Sequence, residues 1–348
     1  MQLGYSKKEN AAQIIYGETL SSSINAELFE NKHITILTNQ RYYDRFFEKI
    51  HRVFAPQTID WYICSNLLYG NHLQEFMDVL HFLGKFSPTQ EILFVAFGNE
   101  GVIQLTGFLQ KTTVHSGTFW VLPTSLQAYA AALVEERYIY KRPTEILLKE
   151  LNLPEKIFLD QTIIAGQSEG KLVDLQVFIR TGLVCSYPFL RKIFKSFSTK
   201  KQLQATSFMA FVEELTDFYR ASSKEIEGYG KVFEEAFYLT ENGHMLSENM
   251  KRFLGMLLHL VWNLQIIEST FHIKNFLIWL KYLGFPVYFP EQISKAEYLE
   301  NVLILQNKYP DLVILSEIGT IGSTQKISEK ELLQAMETYQ QIILEIEG

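Results

Sequence analysis

Eleven residues, Gly98-Asn99-Glu100-Gly101-Val102-Ile103-Gln104-Leu105-Thr106-Gly107-Phe108, have the spacing of a loop that could hold a phosphate. They follow the apolar run Ile92 to Phe97 and open a helical pattern, the place where a pyrophosphate rests on exposed backbone N–H groups. Glycine is needed there because the backbone must approach the phosphate without an intervening Cβ. Asn99 and Glu100 stand at the tip instead, and a carboxylate aimed at a doubly anionic ligand costs roughly 1 to 4 kcal/mol in Coulomb repulsion. The spacing keeps the scaffold of an anion site while its tip opposes an anion.

A second set of residues could ligate a metal. His244 and Glu248 are four residues apart, and on one continuous helix they would share a face and could hold one divalent ion. His259 lies eleven residues past Glu248, roughly 16 Å along a helix, too far to join the same coordination sphere. Its neighbours Leu257, Leu258, Leu260 and Val261 make it a hydrogen-bonded core histidine, and the Asn242-Gly243 turn gives His244 a capping or surface role in the plainer reading. Glu169 reads as the acidic residue of a helix start. His115 with Ser116 is half of a nucleophilic pair without a third member. Glu135 and Glu136 are adjacent, so their side chains point apart, and the pair reads as solvated surface.

Two kinds of element must position these residues. Through about residue 160, strands at Ile34, Ile59, Ile92 and Phe119 alternate with amphipathic helices over Tyr42–Phe54 and Leu73–Phe86. That alternation predicts right-handed βαβ units and a parallel sheet, whose ligands bind at the carboxyl ends of the strands. Beyond residue 160 helical periodicity dominates, over Val173–Phe197, Phe208–Arg220, Lys231–Leu239, Met250–Glu268, Lys274–Leu283 and Glu329–Ile346, with a strand at Leu312. The fold class is therefore an α/β domain over residues 1–160 followed by an all-α domain over 161–348.

The 348 residues suffice for two domains with their own cores, and 47% hydrophobic and 14% aromatic residues place the chain among globular proteins. A net charge of −7 argues against nucleic acid as a partner. The densest basic stretch, Arg191, Lys192, Lys195, Lys200 and Lys201, reads as a solvated helix face and turn. Two cysteines in apolar surroundings, Cys64 and Cys185, and a first segment without a signal-length apolar run predict a cytoplasmic protein with no membrane span.

The order of these features resembles 3-dehydroquinate synthase and the related sugar-phosphate cyclases almost end to end. Ala96 to Phe108 aligns without gaps to that family's GGGxxGDxxGF segment, and Pro123-Thr124-Ser125-Leu126-Gln127-Ala128 to its PTTLLA segment. Asn242-Gly243-His244 is similar to the opening of GHTxGHA. Leu283-Gly284-Phe285-Pro286 and Glu317-Ile318-Gly319 are similar to two later elements. The resemblance implies a Rossmann-like NAD-binding domain, a helical metal and substrate domain, an active site in the cleft between them, and a homodimer.

The departures from the family pattern are equally systematic. The second and third glycines of the loop are Asn99 and Glu100, its next glycine is Ile103, and the NAD-contacting aspartate is Gln104. That leaves Gly98, Gly107 and Thr124 as the remnant of a cofactor loop. The substrate-binding lysine that closes the family's DSSVGGK segment becomes Arg137, the metal-binding glutamate Val177 and the helix lysine Arg180. His244 matches the first GHTxGHA histidine, and Glu248 stands where the second would be. Valine cannot ligate a metal, and a guanidinium replaces a compact ammonium by a planar fork. Arg137, Arg180 and Lys224 remain as cations for a small phosphorylated ligand in the cleft.

Losses at several mechanistically separate positions imply a degenerate family member without NAD or metal, acting as a binding, regulatory or heteromeric partner protein. The alternative is an active lyase, a dehydroquinate synthase of the shikimate pathway or a related cyclase, with rearranged residues and with NAD and Zn or Co as cofactors.

Overall fold

The computed structural model describes residues 1–7, 10–65, 73–142, 144–164, 170–267, 269–309 and 312–347. The chain divides into two compact units, Met1–Ser168 with Met209–Arg220, and Glu169–Phe208 with Ala221–Gly348.

The first unit is built on a seven-stranded sheet. Its strands are β1 (Gln2–Lys7), β2 (Asn10–Tyr16), β3 (His33–Asn39), β4 (Ile59–Cys64), β5 (Ile92–Gly98) and β6 (Gly117–Pro123), completed by β9 (Lys156–Leu159). The spatial order is β1-β2-β9-β6-β5-β3-β4. Every pairing is parallel except β1 with β2, which is antiparallel. The expected parallel sheet is present, with an antiparallel edge that the helix–strand alternation did not announce. Between β6 and β9 the chain adds a separate antiparallel hairpin, β7 (Glu136–Arg142) with β8 (Glu145–Leu151).

Among the described residues, the helices that accompany the strands include α1 (Leu20–Ser23), α2 (Gln40–Phe54), α3 (Leu73–Leu83), α4 (Glu100–Thr112), α5 (Leu126–Ala132) and α6 (Gln161–Ile164). β5 is buried along its whole length, as a central parallel strand covered on both faces must be. α2 turns Ile50, Val53 and Phe54 inward, into a core with Ile34, Ile36, Phe97 and Trp120. Strand order reverses between β3, which leads outward to β4, and β5, which leads the other way to β6. The carboxyl ends of β3 and β5, Asn39 and Gly98, thus flank the crevice where such sheets bind ligands.

The second unit is helical. Its elements are α7 (Lys171–Cys185), α8 (Tyr187–Ser196), α9 (Lys200–Ala205), α11 (Lys231–Leu239), α12 (Glu248–Ile266), α13 (Ile273–Leu283), α14 (Lys295–Lys308) and α15 (Glu329–Glu345), with a hairpin of β10 (Leu312–Glu317) and β11 (Thr320–Gln325). Before α11, α10 (Val212–Gly228) carries a non-helical residue at Ser222. The single helix expected over Val173–Phe197 is two. Ser186 ends α7 in an extended conformation, accepts the Phe189 N–H, and starts α8 with Pro188 in its first turn. Among the described residues no helix is long and apolar enough to cross a membrane.

Candidate functional site: a glycine loop closed by its own side chains

Gly98 ends β5 against crowded surroundings. A Cβ there would lie 2.8 Å from Val102 Cγ2 and 3.1 Å from Asn39 Oδ1, so only glycine fits. The next residue, Asn99, is extended and caps α4. Its Oδ1 accepts the Val102 N–H at 3.2 Å, and its carbonyl accepts the Ile103 N–H at 3.2 Å. The Asn99 N–H in turn points to Asn39 Oδ1 at 3.5 Å, while Asn39 Nδ2 donates to the Ser65 carbonyl at 2.9 Å. Thr124 is buried, and its N–H leans toward the Gly98 carbonyl at 3.4 Å.

Two of the backbone donors at this loop, the N–H groups of Asn99 and Val102, are therefore engaged by carboxamides of the same chain. Both Asn39 and Asn99 are buried, so the arrangement belongs to the packed interior. Glu100 adds a carboxylate in the first turn, which suits the helix dipole and repels an anion. At the aspartate position, Gln104 Oε1 accepts the Tyr138 N–H at 3.2 Å. These residues do not fit a dinucleotide pyrophosphate.

Gly107 belongs to the same helix for a different reason. A Cβ on it would come within 2.7 Å of Arg137 Nε and 2.9 Å of the Phe119 ring. Arg137 is 0% exposed, with Nη1 donating to the Ala131 carbonyl at 3.0 Å and Nη2 to the Ala132 carbonyl at 3.4 Å. Those carbonyls end α5, a helix without a C-terminal glycine, and the guanidinium caps them. Burial pulls its pKa down to about 10, against which the nearby Glu136 and Glu135 carboxylates act. The expectation of Arg137 as an anion-binding cation is corrected: its donors face inward, to its own domain's backbone. Glu135 is corrected too. It is buried rather than solvated, and Asn10 Nδ2 donates to its carboxylate at 3.1 Å.

In the helical unit, Val177 lies fully buried on α7, a helix that also buries Asp174, Arg180 and Thr181. One turn on, Arg180 is buried and its Nη2 meets Glu227 Oε1 at 2.5 Å, so its charge has an internal carboxylate. Lys224 is exposed on α10. The shared helix face expected of His244 and Glu248 does not exist. His244 sits exposed in a 3-10 turn, its Nδ1 3.1 Å from the Glu241 carbonyl, and Ser247 then caps a new helix that begins at Glu248. His259 is the satisfied core histidine expected. Its Nδ1 accepts the Gly230 N–H at 2.8 Å, and Nε2, 2.8 Å from the Val313 carbonyl, donates to it in the matching tautomer. The ring stacks on Tyr229 at 4.1 Å, and burial lowers its pKa to about 3. Among the described residues no group of three or more His, Cys, Asp or Glu side chains is arranged to hold a metal ion. His115 is buried beside Phe86, and Glu169 lies outside the described residues.

Asn39 and Glu227 were missed in the sequence. Asn39 had a usable signal: it ends an apolar strand at the point where the strand order reverses. Glu227 had none, since its partner lies 47 residues away.

No family model matches the chain. It is 21% identical over 301 residues to a 3-dehydroquinate synthase of Listeria monocytogenes serotype 4a (strain HCC23), covering 82% of each. To that of Coxiella burnetii (strain RSA 331 / Henzerling II) it is 20% identical over 349 residues, covering 93% of this chain and 95% of the relative. Among solved structures, a 2-deoxy-scyllo-inosose synthase complexed with carbaglucose-6-phosphate, NAD+ and Co2+ superposes with a TM-score of 0.78 at 12% identity, covering 97% of this chain and 99% of that one. A 2-epi-5-epi-valiolone synthase from Streptomyces hygroscopicus with NAD+ and Zn2+ bound gives 0.72 at 12% identity, over 97% and 98%.

Proposed function

We propose that this chain, a divergent relative of the 3-dehydroquinate synthases with the fold of the sugar-phosphate cyclases, has lost NAD- and metal-dependent cyclisation and serves as a binding, regulatory or heteromeric partner protein. One observation carries the reading. Asn39 and Asn99 engage two of the N–H groups, those of Asn99 and Val102, at the loop where a pyrophosphate would rest. The neighbours that hold NAD+ with Co2+ or Zn2+ do so on the same fold, so the fold is no obstacle; the side chains are. Val177, where the family has a metal-binding glutamate, and the separation of His244 from Glu248 by a helix cap support the same reading from the other unit.

Calorimetry with NAD tests it most directly. No heat of binding is expected up to millimolar cofactor, and no cyclase turnover with added Zn2+ or Co2+. Binding at low micromolar NAD, or turnover with either metal, overturns the proposal. An active enzyme with rearranged residues would instead carry a stoichiometric metal ion and lose activity on Glu248→Ala.

A further inference from the structure

The outer face of α8 carries exposed charges and half-exposed rings. Tyr187, Arg191, Phe194 and Lys195 follow the i, i+4, i+7, i+8 spacing of one helix face, and the opposite face, Phe189, Leu190 and Ile193, is buried. Tyr187 is 44% exposed and Phe194 47% exposed, while the three cations of α8 and the two that begin α9, Lys200 and Lys201, are all exposed. Residues 175 to 212 contain no Asp or Glu, in a chain whose net charge is −7. Lys200 and Lys201 moreover stand in the first turn of α9, where the helix dipole disfavours cations.

The platform under this face is fixed. Phe194 meets Trp279 of α13 edge-on at 5.2 Å, and Trp279 Nε1 donates to the Phe197 carbonyl at 3.0 Å. On α13, the helix that carries Trp279, Ile278 is 44% exposed and Tyr282 55% exposed. Rigid aromatic rings interleaved with Arg and Lys are the composition of an interface centre, and carboxylates suit a guanidinium fork beside them.

We infer that the α8–α9 face docks an acidic segment of a partner protein, one that also carries aromatic or leucine anchors. The inference names the partner chemistry for the proposed function and rests on that reading only for the existence of a partner. A lipid surface fits less well. An interfacial helix inserts a continuous apolar face flanked by cations, whereas the apolar face of α8 is committed to the core and its outer face mixes rings with charges. A nucleic acid fits less well because the rest of the chain is acidic.

The test is selection of a random 16-residue peptide library displayed on phage against the full chain. Counter-selection uses R191E/K195E, and selected peptides are measured by fluorescence anisotropy. Both substituted residues are exposed, and circular dichroism confirms that the variant folds. Selected peptides should be rich in Asp and Glu with aromatic or Leu residues. They should lose affinity at least about tenfold on R191E/K195E and roughly fivefold on Phe194→Ala, and be unchanged by Lys330→Glu, an exposed cation on α15. Peptides without acidic enrichment, or acidic peptides indifferent to R191E/K195E, overturn the inference. So does tighter binding of phosphatidylserine vesicles or duplex DNA that depends on the same residues. NAD calorimetry on the same sample separates the two readings: a chain that binds both NAD and acidic peptides keeps this inference and loses the functional one.

Discussion

The α/β unit and the helical unit differ from the 3-dehydroquinate synthase pattern in opposite ways. Around the glycine loop the family geometry survives, and polar side chains of the chain have moved into it: Asn39 and Asn99 on the loop donors, Gln104 on the Tyr138 N–H, Arg137 over Gly107. In the helical unit the ligating residues are replaced or dispersed. Val177 is apolar, a cap divides His244 from Glu248, and His259 is held by two backbone groups. On the proposed reading, the first unit would have lost its ligand by occupation and the second by removal. An occupied site keeps glycines that packing now requires; a removed one keeps nothing that a ligand could restore.

The sharpest attack on that contrast restores the missing carboxylate. Val177→Glu places an ionisable group in a fully buried position and is expected to destabilise by about 2 to 4 kcal/mol, read as a lower urea midpoint. Zn2+ should not recover the loss, because among the described residues no group of three or more His, Cys, Asp or Glu side chains is arranged to hold a metal ion. A zinc-dependent rise in midpoint would show that a metal site persists.

His259 is expected to matter nearly as much, for stability alone. Its removal in His259→Leu takes the partner from the buried Gly230 N–H and the half-buried Val313 carbonyl, at about 1 to 3 kcal/mol in total. The pH dependence follows from the lowered pKa. The unfolded chain takes up a proton near pH 6.5 and the folded chain only near 3, so stability is full above 6.5 and falls as pH drops toward 3. Urea midpoints across that range should decline in the wild type and flatten in the variant. An unchanged slope would remove His259 from the core account.

Gly107 distinguishes packing from ancestry. Gly107→Ala forces a Cβ against Arg137 Nε and the Phe119 ring and should cost about 1 to 3 kcal/mol. In an Arg137→Ala background the cost should shrink, a coupling that a double-mutant cycle measures. Equal costs in both backgrounds would mean that Gly107 is not held by Arg137.

The parts of the molecule legible in the sequence are those set by local periodicity. The strand–helix alternation, the buried β5 and the role of His259 all follow from which neighbours are apolar. What failed was reach. Arg137 read as a cation for a ligand because nothing local announces that α5, rich in alanine, would end without a glycine and need a side-chain cap. The break at Ser186 was readable, since a serine two residues before a proline is a helix start, but the apolar periodicity runs across it. His244 and Glu248 were misplaced for the same reason, with Ser247 the overlooked cap.

The smallest expected effect asks whether occupation can be undone. Asn99→Gly with Glu100→Gly restores two glycines of the loop, removes the cap that accepts the Val102 N–H and takes a carboxylate from the first turn, so α4 should lose about 1 kcal/mol in all. The double variant frees one helix donor and removes one carboxylate, yet Asn39 still accepts from the backbone at residue 99, and Ile103 and Gln104 keep their places on α4. Calorimetry with NAD should therefore remain flat. Occupation would then be shared among several side chains, each individually tolerable. A gain of NAD binding from these two changes alone would place the whole loss at the loop tip, and the α/β unit would be two substitutions from a working cofactor site.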